Sequence, residues 1–128
     1  MWEVLIVEDN QKDCQRIVDG LKEKAQCTTT ADGEKALEIY SKRQKENKPF
    51  DFILLDVDMP KQNGFQVLKT IRSLEEDSPH ETSIIMVTTY KDSLLEHYNM
   101  GWDDFLTKPI DTAVLVNRME SIAEKNKK

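Results

Sequence analysis

The sequence predicts one α/β domain built around an open, doubly wound parallel sheet. Three observations predict it. Short, β-branched apolar runs stop abruptly at acidic or hydroxyl residues. Stretches with helical spacing separate those runs. The length of 128 residues suits a single hydrophobic core.

The elements follow in order. Residues 2–7 (Trp-Glu-Val-Leu-Ile-Val) read as a buried strand ending at Glu8-Asp9-Asn10. Cys14, Ile17, Val18, Leu21 and Ala25 then share one helical face. Cys27 to Ala31 is a weak, Thr-rich second strand. Asp32 is placed to cap the next helix, whose face carries Ala36, Leu37 and Tyr40. That helix is expected to dissolve into the polar run from Lys42 to Lys48. Phe50 to Asp56 is the strongest strand signal. Pro60 and Gly64 bracket an irregular loop, and the helix after it presents Gly64, Val67, Leu68 and Ile71. Glu75 to Thr82 reads as a polar loop containing Pro79. Ser83 to Thr88 is a fully apolar strand but for its ends. Leu94, Leu95 and Tyr98 suggest a short helix, and Phe105 to Thr107 a brief strand before Lys108-Pro109. Asp111 caps a final helix with Leu115, Met119 and Ile122 facing in. The domain is assigned to 1–124, with a polar tail at 125–128.

Composition excludes several functions. Lys+Arg is 18 against 24 Asp+Glu, a net charge of −6. An acidic chain without basic clusters suits neither nucleic acid nor an anionic membrane. Phe, Ile, Leu and Val make up a quarter of the chain, which argues against disorder. The longest clean apolar runs are four residues, so no segment reads as a membrane span or a signal sequence. A soluble cytoplasmic protein is expected. Cys14 and Cys27 lack ligand spacing and read as small hydrophobes.

In such sheets, ligands bind outside the carboxyl ends of the strands. Glu8 and Asp9 follow the first strand, Asp56 the third, Thr88 and Thr89 the fourth, and Lys108 the fifth. Three close carboxylates repel one another and stay ionised together only beside a cation. Oxygen ligands without His or Cys suit Mg2+, with Mn2+ as a substitute. A hard cation, a hydroxyl and a lysine together are equipped to handle a phosphoryl group. The nucleophile is then a carboxylate, and Asp56 is the best placed because it directly ends the central strand.

The chain resembles a response regulator receiver domain over nearly its whole length. The resemblance rests on Val4-Leu5-Ile6-Val7-Glu8-Asp9-Asn10, on Asp51 to Asp56 with Met59-Pro60 and Gly64, on Ile84 to Thr88, and on Asp103 to Pro109. It implies a three-layer, flavodoxin-like (βα)5 fold with sheet order 2-1-3-4-5. It implies a phosphoacceptor in a two-component phosphorelay, served by a sensor histidine kinase or a histidine phosphotransfer protein. By position, Asp56 accepts the phosphoryl group. Asp9 ligates Mg2+ directly, Glu8 helps through water, and the Asp58 backbone carbonyl completes the set. Thr88 is the switch hydroxyl, Phe105 the aromatic that turns inward with it, and Lys108 the contact to the phosphoryl oxygens. The Lys108-Pro109 bond is expected to be cis. Asp58 and Tyr90 occupy positions that influence phosphate lifetime, and bulky Tyr90 is expected to shield the acyl phosphate from water.

Some residues depart from the family pattern. Glu8 replaces the commoner Asp, Thr89 a smaller residue, Trp102 an Ala or Met, and Lys61 a frequent Gly. Phe105 lacks the hydroxyl of Tyr. Taken singly, Glu8-Asp9 reads as a solvated strand end, Thr88 as a β-former and Lys108 as a surface charge. Only their joint placement points to a site. The Asp58 side chain reads as solvated, Phe105 as either a switch or a fixed ring, and Trp102 as partial packing. His80 and His97 read as surface residues.

The expected output is a conformational change of the face formed by the fourth helix, fifth strand and fifth helix, with Leu95, Tyr98, Trp102, Phe105 and Val116 on it. That face would control an effector or target protein, possible as a phosphorylation-linked homodimer. Met1 leading directly into the first strand favours an N-terminal position ahead of such an effector. An enzyme is not expected beyond self-phosphorylation and slow autodephosphorylation. Two alternatives remain. Asp56-Val57-Asp58 looks like the D-x-D of haloacid-dehalogenase phosphatases, although that motif normally follows the first strand. A degenerate receiver would act only as a docking module.

Overall fold

The computed structural model describes residues 1–59, 63–76, 82–89 and 101–126. Its elements run β1 (Trp2–Val7), α1 (Gln11–Leu21), β2 (Ala25–Thr30), α2 (Gly33–Lys45), β3 (Phe52–Asp56), α3 (Gly64–Leu74), β4 (Ser83–Thr88), β5 (Asp104–Thr107) and a C-terminal helix (Thr112–Asn126). The five strands form one parallel sheet in the order β2-β1-β3-β4-β5. The short helix expected around Leu94 to Tyr98 lies outside the described residues, as do Pro60, Lys61, Pro79, His80, Tyr90 and His97.

The alternation of side chains along a strand divides the core into two layers. Leu5, Val7, Ile53, Leu55, Ile84 and Met86 face α2 and α3, where Ala36, Tyr40, Val67, Leu68 and Ile71 meet them. Val4, Ile6, Phe52, Leu54, Ile85 and Val87 face α1 and the C-terminal helix, meeting Ile17, Leu21, Leu115 and Met119. Burial on both sides explains why β1, β3 and β4 read as continuous apolar runs. β2 is an edge strand and only partly buried, hence its Thr-rich sequence.

Side-chain caps set the helix starts. Asn10 accepts from Asp13 N at 3.0 Å, Asp32 from Glu34 N at 2.8 Å, and Asp111 from Ala113 N at 2.9 Å. Asn63 and Gln66 form a reciprocal capping box on α3.

The boundaries differ from the sequence expectation at several places. Ala25 is not on the α1 face. The Lys24 amide turns back to Leu21 O at 2.9 Å, and Ala25 opens β2 opposite Trp2. Ala31 lies beyond that strand. α2 continues through Lys42 to Lys45, because basic side chains in the last turn complement the helix dipole. Asn47 follows it with φ of 62°, a left-handed conformation that Asn tolerates. Phe50 and Asp51 precede β3. The Phe50 ring is buried beneath the Arg43 guanidinium, 4.4 Å from its centroid. The C-terminal helix includes Lys125 and Asn126, and Asn126 Nδ2 donates to Ser83 Oγ at 3.2 Å.

A polar network absent from the sequence reading ties the opposite end of the sheet. Arg72 donates to Glu75, to the Thr82 and Gly101 carbonyls, and to Asp103. Tyr40 and the Thr82 amide complete Glu75, which is buried. Gly101 lies under Arg72 with φ of +103°, a conformation open to glycine.

Gly64 has a different reason. A Cβ there would stand 2.4 Å from the Asp56 carbonyl oxygen and 3.1 Å from Val57 Cα. The start of α3 therefore packs directly on the backbone that carries Asp56. Gly64→Ala is expected to destabilise the fold by about 2–3 kcal/mol, since backbone cannot yield as a side chain does. Urea unfolding checks this. A loss below about 0.5 kcal/mol, the ordinary surface value, would contradict the contact.

Candidate functional site

The register places the carboxyl ends of β1 and β3 side by side, with Val7 opposite Leu55. Glu8 and Asp9 leave the first strand just where Asp56 ends the third. One oxygen from each of the three carboxylates lies within 4.8 Å of the others. Glu8 and Asp56 are buried and Asp9 is exposed. β4 and β5 supply the rest. Thr88 pairs with Thr107, and the Lys108 amide donates to Thr88 O at 2.8 Å. The Lys108-Pro109 peptide bond is cis.

Lys108 Nζ reaches Glu8 Oε1, Asp13 Oδ2 at 3.1 Å and Asp56 Oδ2 at 3.4 Å. Burial alone would lower its pKa, but Glu8, Asp13 and Asp56 outweigh that and raise it, so it is a fixed cation. Burial and the neighbouring Asp56 push Glu8 up to about 8, against the pull of Lys108. Burial and Asp56 also raise Asp9. Asp56 behaves oppositely. Burial disfavours its charge, but Glu8, the Asp58 N–H and Lys108 hold it below the ordinary carboxylate value. The Asp58 N–H donates to Asp56 Oδ1 at 3.0 Å.

Thr88 is fully buried, and its Oγ1 donates to Asp58 Oδ2 at 3.0 Å. The Asp58 side chain, expected to be merely solvated, is exposed yet holds this hydroxyl. Phe105 is half-buried and meets Trp102 edge to face, with centroids 5.5 Å apart. Trp102 and Phe105 pack toward the α2/α3 core and Val116 toward the other. Phe105 lies on β5, with Trp102 on the same face and Val116 on the other. Leu95, Tyr98 and Tyr90 lie outside the described residues.

Sequence reasoning missed Asp13. The helical face was read from Cys14 onward, and Asp13 precedes it. The Asn10 cap was the available signal, because it fixes the first turn of α1 beside the acidic cluster.

A divalent cation fits this donor set. All the ligand atoms are oxygens, and Glu8 Oε2 is buried with no hydrogen-bond partner among the described residues. An orphaned carboxylate oxygen facing two further carboxylates is costly without a cation.

A family model for the response regulator receiver domain matches residues 4–120. The chain is a response regulator receiver domain. The receiver domain is 32% identical over 131 residues to the transcriptional regulatory protein CiaR of Streptococcus pneumoniae (strain ATCC BAA-255 / R6). That match covers 100% of this chain and 54% of CiaR. The chain spans about half the length, or less, of the curated relatives it matches. Among solved structures, the Vibrio cholerae chemotaxis protein CheY4 is 31% identical with a TM-score of 0.77, covering 94% of this chain and 98% of that one. The BeF3 activated receiver domain of DrrB, a Thermotoga maritima protein, is 25% identical with a TM-score of 0.77, covering 97% and 98%. The receiver domain thus has the flavodoxin-like sheet order and belongs to two-component signalling. No described helix is long and apolar enough to cross a membrane.

Proposed function

We propose that this receiver domain is a Mg2+-dependent phosphoacceptor whose acceptor is Asp56. The observation that carries the reading is the gathering of Glu8, Asp9, Asp56 and Lys108 at the carboxyl ends of β1, β3 and β5. An Asp56 carboxylate oxygen attacks the phosphorus of a phosphohistidine. The P–O bond forms, the P–N bond breaks, and the imidazole leaves. Glu8, Asp9, Asp56 and the Asp58 carbonyl are the groups suited to hold the cation. When bound, Mg2+ supplies positive charge to the phosphoryl oxygens. Lys108 supplies a second positive charge from the other side, and its burial keeps that charge effective.

Domain bounds of 1–124 and a cytoplasmic location belong to the same reading. So does the pairing with a histidine kinase or phosphotransfer protein. Output follows from Thr88 leaving Asp58 for the phosphoryl group, with Phe105 and Trp102 shifting beside it. β5 and the C-terminal helix then present a changed face to an effector, a target or a second copy. Asp58 and Tyr90 modulate the lifetime of the product, and Tyr90→Ala shortens it if Tyr90 shields the acyl phosphate.

Acetyl phosphate tests the reading without a kinase. Intact mass should rise by one phosphoryl group with Mg2+ present and stay unchanged with EDTA. No labelling under either condition, together with no Mg2+ binding, would leave a phosphorylation-independent docking module.

A further inference from the structure

Lys108 Nζ has three carboxylate partners: it donates to Glu8 and Asp56 and forms an ion pair with Asp13 at 3.1 Å. Two of those partners, Glu8 and Asp56, belong to the acidic cluster at the strand ends. The third, Asp13, does not. It comes from the first turn of α1, where the Asn10 cap holds its backbone. Its side chain is 29% exposed and that of Lys108 is 15% exposed, so the pair is only partly screened. A phosphoryl group on Asp56 offers the same ammonium new, strongly charged acceptors. Moving toward them draws Lys108 away from a present partner. Glu8 and Asp56 stay beside it at the strand ends, so the partner to be released is Asp13. The Asp13 carboxylate also repels the incoming negative charge.

We propose that Asp13 is a positioning residue that holds Lys108 in the unphosphorylated state and opposes its transfer to the phosphoryl group. Asp13 thereby sets how readily Asp56 is loaded. The inference rests on the phosphoacceptor reading and adds to it a restraint on the resting state. Thr88 is held by Asp58 in a parallel way, so both groups that would meet the phosphoryl oxygens start on an outlying carboxylate.

The test is beryllofluoride affinity at saturating Mg2+, read by fluorine NMR of the bound complex. Asp13→Asn is expected to bind about three- to fivefold more tightly than wild type, the upper range for losing one partly exposed ion pair. Asp13→Glu should stay near wild type, because the carboxylate is retained. Asp19→Asn, on the exposed face of the same helix, removes the same charge away from Lys108 and should change nothing. A gain in affinity cannot come from a misfolded variant. Asp13→Asn within about twofold of wild type, a difference too small for the lost ion pair, would overturn the proposal. So would an equal tightening in Asp19→Asn or in Asp13→Glu. Wild type that binds no beryllofluoride would instead overturn the phosphoacceptor reading.

Discussion

Asp56→Asn is expected to reduce phosphoryl labelling by acetyl phosphate to background while leaving the protein folded. Three carboxylates stand together, and only one of them is prepared to attack. Glu8 and Asp9 are both pushed toward their neutral forms by burial and by Asp56. Asp56 is shifted the other way, toward its ionised form, by Glu8, the Asp58 N–H and Lys108 together. A nucleophile must carry its lone pair free of a proton, so the preparation differs between neighbours a few ångströms apart. Asparagine keeps the shape and can still accept from the Asp58 N–H, but its amide oxygen does not form an acyl phosphate. Intact mass after incubation with acetyl phosphate and Mg2+ checks the result, with circular dichroism as the control for folding. Residual labelling would move the acceptor to Asp9 or Glu8 and would contradict the division of charge described here.

The strand ends were legible because each apolar run stops at a charged or hydroxyl residue. Asp56, Thr88 and Lys108 follow from that rule alone, as do the two core layers from the alternation within β1, β3 and β4. The pairings made between those ends are another matter. Glu8 and Lys108 are 100 residues apart, and nothing local in either segment announces their contact. Asp13 lies before the apolar stripe of α1, so periodicity passes it over. Asp58 reads as a loop carboxylate until β4 brings Thr88 beside it. Glu75 reads as part of a polar loop until Arg72 of α3 and Tyr40 of α2 meet it. In each case the residue type was visible, and a partner far away in the sequence was supplied only by the tertiary fold. Ala25 failed for the opposite reason. Its spacing matched the helix face, but the chain turns at Lys24 before reaching it.

Glu8→Gln is expected to stabilise the metal-free protein by about 1–3 kcal/mol at pH 7, and to abolish stabilisation by Mg2+. Glu8 is 5% exposed, and its Oε2 has no hydrogen-bond partner among the described residues. It titrates near 8 in the fold and near 4.5 as a free side chain. Folding therefore favours its protonated form. That contribution is full below pH 4.5 and is lost as the pH rises through 8, so the metal-free protein should weaken across this window. Each pKa unit is worth about 1.4 kcal/mol, and relaxation around the carboxylates takes back part of the total. Glutamine keeps the volume and removes the charge, so the slope should flatten. The same charge is what a divalent cation needs, and a ligand that binds only the folded state raises stability by mass action. Urea unfolding of both proteins, in EDTA and then in excess Mg2+, separates the two effects. Wild type should gain stability from Mg2+, and the variant should not. A variant that is less stable in EDTA, yet still responds to Mg2+ as wild type does, would show that the Glu8 carboxylate serves packing and not the cation. The opposed outcomes express one physical fact. Close carboxylates, two of them buried, cost stability in the metal-free fold, and a bound cation is expected to offset that cost.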